Sequence, residues 1–189
     1  MPRTTTSRGA VIPALGNAFR EHGYEGASMA VLQEASGLGR GSLYNFFPKG
    51  KEEMAQAVLD DIDGWFQAHI FTPLRVAAVG DAADARVAVR TMFAEVDMYF
   101  RSGSRICLLG AFAISHQRDR FAHTVGCYFT DWIDVLTAAL IAAGTADPKS
   151  TAFRCIALIQ GGIVLARALN DPAAFTAVIG DATAMATLD

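Results

Sequence analysis

Apolar residues recur along the chain at spacings of three and four. Met54, Val58, Ile62, Trp65, Phe66 and His69 make one such series, and Phe129, Trp132, Ile133, Leu136 and Leu140 another. That period draws one stripe along a helix. No alternating apolar–polar run bounded by hairpin turns occurs, so the pattern predicts an all-α chain. Gly23 ends a first helix, Gly37 and Gly39 end a short second one, and Phe47-Pro48-Lys49-Gly50 ends a short third one. A long fourth helix spans about 51–71, closed by Thr72-Pro73. Later helices fall at about 84–102, 105–116, 119–143, 149–169 and 172–187, and Pro172 suits the first position of the last, with Asp171 as its N-cap. Pro13 sits inside the expected first helix, where an interior proline costs about 3 kcal/mol. That helix is therefore expected to begin near Gly9, with residues 1–7 as a mobile arm. The organisation is a three-helix head over residues 1–50 and an all-α body over 51–189.

The stretch from Ser28 to Phe47 carries the most information. Ser28 suits the N-cap of a helix burying Met29, Leu32 and Ala35. Gly37 can take the positive φ needed to leave that helix, and Leu38 can plug the space between two helices. In the next segment Leu43, Phe46 and Phe47 turn inward, while Arg40, Ser42, Tyr44 and Asn45 turn out. Two short helices joined by a glycine turn form a helix-turn-helix, which lays its second helix in the DNA major groove. Arg and Asn can bond bidentately to guanine and adenine edges, while Ser and Tyr hydroxyls reach phosphates.

Residues 8–59 resemble the N-terminal domain of TetR-type (TetR/AcrR) transcriptional regulators. The matching stretches are Ala18 to Ser28, Ala35-Ser-Gly37-Leu-Gly, and Gly41-Ser-Leu-Tyr44-Asn-Phe-Phe47-Pro with Lys51-Glu-Glu after it. Arg105-Ile-Cys107-Leu-Leu-Gly-Ala-Phe112 resembles the ligand domain of the LmrA/YxaF-like branch, as does the extra residue in Pro48-Lys-Gly-Lys51. The resemblance implies an all-α homodimer whose head binds palindromic operator DNA and whose body binds a small-molecule inducer. It implies phosphate contacts from Ser28, Tyr44 and Lys51, and places Arg40, Gly41, Ser42 and Asn45 on the base-reading face. Besides Pro13 in the first helix, two positions depart from the family pattern. Gly39 stands where a Ser or Thr cap is usual, and Phe46 replaces a common His.

Composition sharpens this reading in three ways. The net charge of −3 divides unevenly. Residues 1–51 carry +3, from Arg3, Arg8, Arg20, Arg40, Lys49 and Lys51 against Glu21, Glu25 and Glu34, and the remainder carries −6. A basic head on an acidic body points the head towards a polyanion. Hydrophobic residues make up 52% of the chain, which excludes disorder. The longest nearly unbroken apolar run, Cys155 to Ala166, falls short of the roughly 20 residues of a membrane span. No apolar stretch follows the basic start, so no secretory signal is expected. Three scattered cysteines fit a reducing cytoplasm.

The body holds many large aromatics and a few polar anchors. Trp65, His69, Phe93, Phe112, His116, Tyr128 and Trp132 are the candidate ligand contacts, with Gln160 a further anchor. Enzyme signatures fail. Gly37-Leu-Gly39-Arg-Gly41 follows no strand, and Gly50-Lys51 lacks the Ser or Thr of a phosphate loop. No cofactor is expected. A metal-dependent alternative would use His116, His123 and Cys127, of which His123 and Cys127 stand one helical turn apart. The C-terminal helices are rich in Ala and Gly, which allows the close helix approach of a two-fold dimer.

Overall fold

A computed structural model describes residues 7–187, and every regular element among them is helical. Helices α1 (Arg8–Gly26), α2 (Met29–Ser36) and α3 (Arg40–Phe46) make the head. Helix α4 (Lys51–Phe66) runs through a π-helical turn (Gln67–Phe71) into α5 (Thr72–Ala77). The body continues with α6 (Ala82–Phe100), α7 (Leu108–Ala113), α8 (Ala122–Ala143), α9 (Pro148–Leu169) and α10 (Pro172–Thr187). Helix α8 packs between α6 and α9, α10 lies along α9, and α1 packs on α4.

Local chemistry explains most of the boundaries. The Ser7 hydroxyl accepts from the Ala10 N–H at 3.3 Å, so α1 begins at Arg8 and Pro13 lies in its second turn. Residues 1–6 of the expected arm lie outside the described residues. Gly23, at φ 65°, breaks the helix where the sequence expected it to end. Asp81 caps α6 by accepting from Asp84 N–H at 2.8 Å, which starts it at Ala82. Helix α7 is shorter than the expected 105–116. Cys107 Sγ accepts from Gly110 N–H at 3.3 Å and fixes its start, and Ser115 donates to the Phe112 carbonyl at 3.0 Å where it ends. The turn that follows delays α8 to Ala122. In the last helix Pro172 takes the first position, and Asp171 accepts from the Ala173 N–H at 3.0 Å, as expected.

Thr72-Pro73 does not close the long helix. A proline ring clashes with the carbonyl four residues back and brings no N–H. The wider turn at Gln67–Phe71, where the Thr72 N–H bonds the Gln67 carbonyl, absorbs that clash. The chain stays helical to Ala77, and Phe66, Ile70, Phe71 and Leu74 all reach the core.

One apolar cluster runs from Val11 in α1 to Ala186 in α10, through head and body alike. Phe66 is its hub, with ring centroids 5.0 Å from Tyr99 and 5.1 Å from both Tyr128 and Trp132. Ala122–Ala143 and Pro148–Leu169 are long and apolar enough to cross a membrane, contrary to the expectation from the shorter apolar run. In this fold Trp132, Leu136, Leu140, Cys155, Ile159 and Ile163 on those helices fill the core.

Candidate functional site

Helices α2 and α3 meet through a turn that the sequence specifies locally. The Ser28 hydroxyl accepts from the Val31 N–H at 3.3 Å, and Gly37 adopts φ 67° to end α2. Leu32 is the buried residue of α2 and Met29 packs against the core, whereas Ala35, expected inside, is exposed. Leu43 and Phe47 are buried and Phe46 half-buried. Arg40, Gly41, Ser42, Tyr44 and Asn45 therefore share the exposed side of α3, with Ser28 exposed at the start of α2. Gly39 precedes α3 without a side-chain cap bond. The Arg40 guanidinium lies 5.7 Å from the Tyr44 ring centroid, and that ring leans on Gly50, whose φ of 69° requires glycine.

Lys51 is half-buried and holds the turn between α1 and α2. Its ammonium donates to the Tyr24 carbonyl at 2.8 Å and the Glu25 carbonyl at 3.4 Å, and lies 4.5 Å from the Tyr24 ring centroid. Arg8, which sequence reasoning left unassigned, ties α1 to the end of α3. It donates to the Phe46 carbonyl at 3.1 Å, pairs with Glu53 at 3.5 Å and covers the Phe47 ring at 4.8 Å.

A second seam joins head to body. The Tyr24 ring stacks on Phe19 at 6.0 Å and meets the edges of Phe112 at 5.9 Å and Phe121 at 5.5 Å. Gln117 bonds Glu25 across the same seam, and Arg120 pairs with Glu52 of α4 beside it. Burial raises the Tyr24 pKa, and the Arg120 charge opposes that shift. No single stretch of sequence signals this seam, because its partners lie about a hundred residues apart.

The candidate ligand contacts fall in separate places. Trp65, half-buried, stacks on the exposed His69 at 4.6 Å and approaches Tyr99 at 4.4 Å. Tyr128 and Trp132 are buried beside Phe66, and neither the Tyr128 hydroxyl nor the Trp132 Nε1 has a hydrogen-bond partner. Burial holds the Tyr128 pKa well above 10.0. Phe93 is also buried in the core, Phe112 belongs to the head–body seam, and His116 is exposed between α7 and α8. None of these seven borders the apolar groove that lies between α7, α8 and α9 and does include Gln160. His123 and Cys127 do meet, with Sγ 3.7 Å from Nδ1. His116 does not join them, and among the described residues no three metal-ligating side chains converge.

Comparison with known proteins agrees with this geometry. Residues 16–58 match the family described as bacterial regulatory proteins, tetR family. Residues 85–180 match the C-terminal domain of LmrA/YxaF-like transcriptional regulators. The HTH-type transcriptional regulator LmrA of Bacillus subtilis is 24% identical over 166 residues, covering 84% of this chain and 85% of that protein. The regulator YxaF of the same organism is 22% identical over 171 residues, 87% of each chain. Among solved structures, a TetR transcriptional regulator from Legionella pneumophila superposes with a TM-score of 0.75 at 22% identity, covering 96% of this chain and 97% of its own. The TetR-family regulator CifR, solved in complex with operator DNA, also gives 0.75, at 23% identity over 97% and 98% of the two chains. A head matching one profile and a body matching the other, in this order and on this fold, make the chain a member of the TetR family of ligand-responsive, DNA-binding transcriptional regulators, of the LmrA/YxaF-like type.

Proposed function

We propose that this chain acts in the cytoplasm, without catalytic activity, as a homodimeric repressor of palindromic operator DNA. Residues 1–50 form the DNA-binding unit, and residues 51–189 the ligand-binding and dimerisation unit. The observation that carries this reading is the exposed side of α3, which holds Arg40, Gly41, Ser42, Tyr44 and Asn45 above buried Leu43 and Phe47. Arg40, Ser42 and Asn45 read base edges, with Gly41 allowing close approach of the backbone. Ser28, Tyr44 and Lys51 contact phosphates. Lys51 has three ammonium protons and spends two on the Tyr24 and Glu25 carbonyls, which leaves one for a phosphate.

One recognition helix reads few bases, so two heads about one DNA turn apart are needed. Helices α9 and α10 supply the dimer face. Leu158, Leu165 and Leu169 are exposed on α9, and the exposed residues Ala173, Ala177, Gly180 and Ala184 permit close approach on α10.

The inducer is a small apolar or aromatic molecule taken up by the aromatic cluster of the body. Tyr128 and Trp132 are the best-supported contacts, because their buried polar atoms lack partners. Trp65 and His69 stand at the edge of that cluster, and Phe93, Phe112 and His116 remain further candidates elsewhere in the body. Helix α4 transmits the response, with Lys51 against the head at one end and Trp65 and Phe66 among the body aromatics at the other. Its 16 residues span about 24 Å. Lowering operator affinity 100-fold requires about 2.7 kcal/mol of coupling, and operator DNA must weaken ligand binding by the same factor.

Selection of bound DNA from a random pool, with light scattering on the same preparation, tests the reading. A two-fold symmetric site and a dimer are expected. A monomer with no preference for any palindrome would overturn it.

A further inference from the structure

Four guanidinium groups gather where α1 faces the loop between α6 and α7. Arg20 comes from α1, Arg101 and Arg105 from the loop, and Arg167 from α9, and all four border one crevice of 270 Å3. The hydrogen bonds they make go to neutral oxygens. Arg20 donates to the Ile106 carbonyl at 3.3 Å and the Tyr99 hydroxyl at 3.4 Å, Arg105 to the Tyr99 carbonyl at 3.3 Å, and Arg167 to the Ser104 carbonyl at 2.8 Å. Among the described residues none of the four has a carboxylate within ion-pair distance. Glu21, the one acid on the crevice wall, lies 4.0 Å from His22 instead.

The loop that presents two of these arginines is held in an unusual conformation. Arg101, Ser102 and Gly103 have φ of 51°, 50° and 80°. A Cβ on Gly103 would lie 2.7 Å from the Ala166 Cβ and 2.8 Å from the Phe175 Cβ, so the loop is clamped against α9 and α10. Side-chain-bearing residues kept in the left-handed region tend to occur at functional sites. Burial, and then the charge of Arg20, push the Arg105 pKa down. The fold thus keeps together charges that repel one another.

Ile106 and Arg167 line both this crevice and the apolar groove between α7, α8 and α9, a space of 540 Å3, so the two lie side by side. Ile114 and Val164, 87% and 62% exposed, leave apolar surface in water along the groove. Gln160, whose Nε2 is buried without a partner, stands on its wall.

We propose that groove and crevice form one binding site for an amphipathic organic carboxylate, with its apolar tail along the groove and its carboxylate among the four arginines. The planar fork of arginine suits a carboxylate bidentately. This site is distinct from the aromatic cluster around Phe66. Because Arg20 belongs to the head and the other three to the body, the bound carboxylate bridges the two. Its effect on operator affinity rests on the regulatory reading given above.

The test titrates the full chain with decanoate, methyl decanoate and propionate by calorimetry, with operator binding measured on the same preparation. Decanoate should bind at least tenfold more tightly than its ester or propionate. Arg167→Gln, at an exposed position, and Arg105→Gln should each shrink the preference for acid over ester. Ala111→Phe, which fills the groove, should weaken decanoate at least tenfold. Equal affinity for acid and ester in the parent chain overturns the arginine end of the site, and undiminished binding by Ala111→Phe overturns the groove. If a second copy of the chain covers the groove, decanoate fails to bind and the proposal falls. Operator binding without decanoate binding sinks only this site, whereas decanoate binding without operator binding sinks only the regulatory reading.

Discussion

Truncating Tyr24 to alanine removes the ring that joins the head to the body. Three aromatic contacts disappear, with Phe19, Phe112 and Phe121, together with the Lys51 ammonium and the Arg120 guanidinium over the ring. Each ring pair is worth about 0.5–1.5 kcal/mol beyond its buried area, and a partly exposed cation–π contact about 0.5–1 kcal/mol. These terms share one side chain and do not add. Truncating a fully buried aromatic costs about 3–5 kcal/mol. Tyr24 is only half-buried, so about 2–3 kcal/mol is expected for the alanine variant. Tyr24→Phe keeps all five contacts and should stay within about 0.5 kcal/mol of the parent chain. Urea unfolding followed by far-UV circular dichroism measures both. Operator binding by the folded alanine variant should fall on all sequences alike, because the ring does not belong to the exposed side of α3. A loss below about 0.5 kcal/mol, or a changed base preference, would refute the seam as the element that seats the head.

Arg40→Ala and Asn45→Ala should each cost about 1–3 kcal/mol at particular base positions, whereas Tyr44→Phe and Lys51→Ala should weaken all sequences, with Lys51→Ala lowering the salt slope by about 1. Gel shifts on single-base operator variants separate these, and uniform losses at Arg40 and Asn45 would move the reading face elsewhere. Burial, and then the nearby Asp131 and Asp60, raise the Asp63 pKa above 3.8, while Gln67 opposes the shift. A raised folded pKa contributes stability below 3.8 that is lost as pH rises through the folded value. Asp63→Asn should therefore be the more stable chain at neutral pH, and its advantage should vanish on acidification; an advantage independent of pH would contradict this. Maleimide should label only Cys127 in the folded chain, since Cys107 is buried and burial pushes the Cys155 thiol up to about 12. Mass spectrometry showing early modification at Cys107 or Cys155 would indicate that the core opens.

The sequence made legible what local chemistry controls. Ser28 as a cap, Gly37 as a left-handed exit, the two-sided pattern of α3 and the Asp171-Pro172 start all reappear in the structure. The π-helical turn did not show, because a stripe of three and four residues contains no sign of one widened turn. Pro73 signalled a stop when only tertiary packing of Ile70 and Phe71 could carry the helix past it. Composition marked the aromatics of the body but could not separate the ring cluster around Phe66 from the seam at Phe112 or from exposed His69. Arg20, Arg101, Arg105 and Arg167 span most of the chain, and only folding brings them to one crevice.

The apolar cluster that passes unbroken from Val11 to Ala186 has a consequence for inheritance as well as for structure. Leu15, Phe19, Leu43 and Phe47 of the head share their core with Met54, Ala55 and Val58 of α4. A gene fragment ending at Gly50 would encode the reading face without its support, so the smallest piece that could pass intact between genes runs on into α4. Mutational load is pooled in the same way. A substitution at Trp132 touches no operator contact, yet it draws on the same stability that keeps the head folded. A loss of about 1–2 kcal/mol can change cellular abundance several-fold. Variation deep in the body is thus visible to selection through the number of folded regulators in a cell.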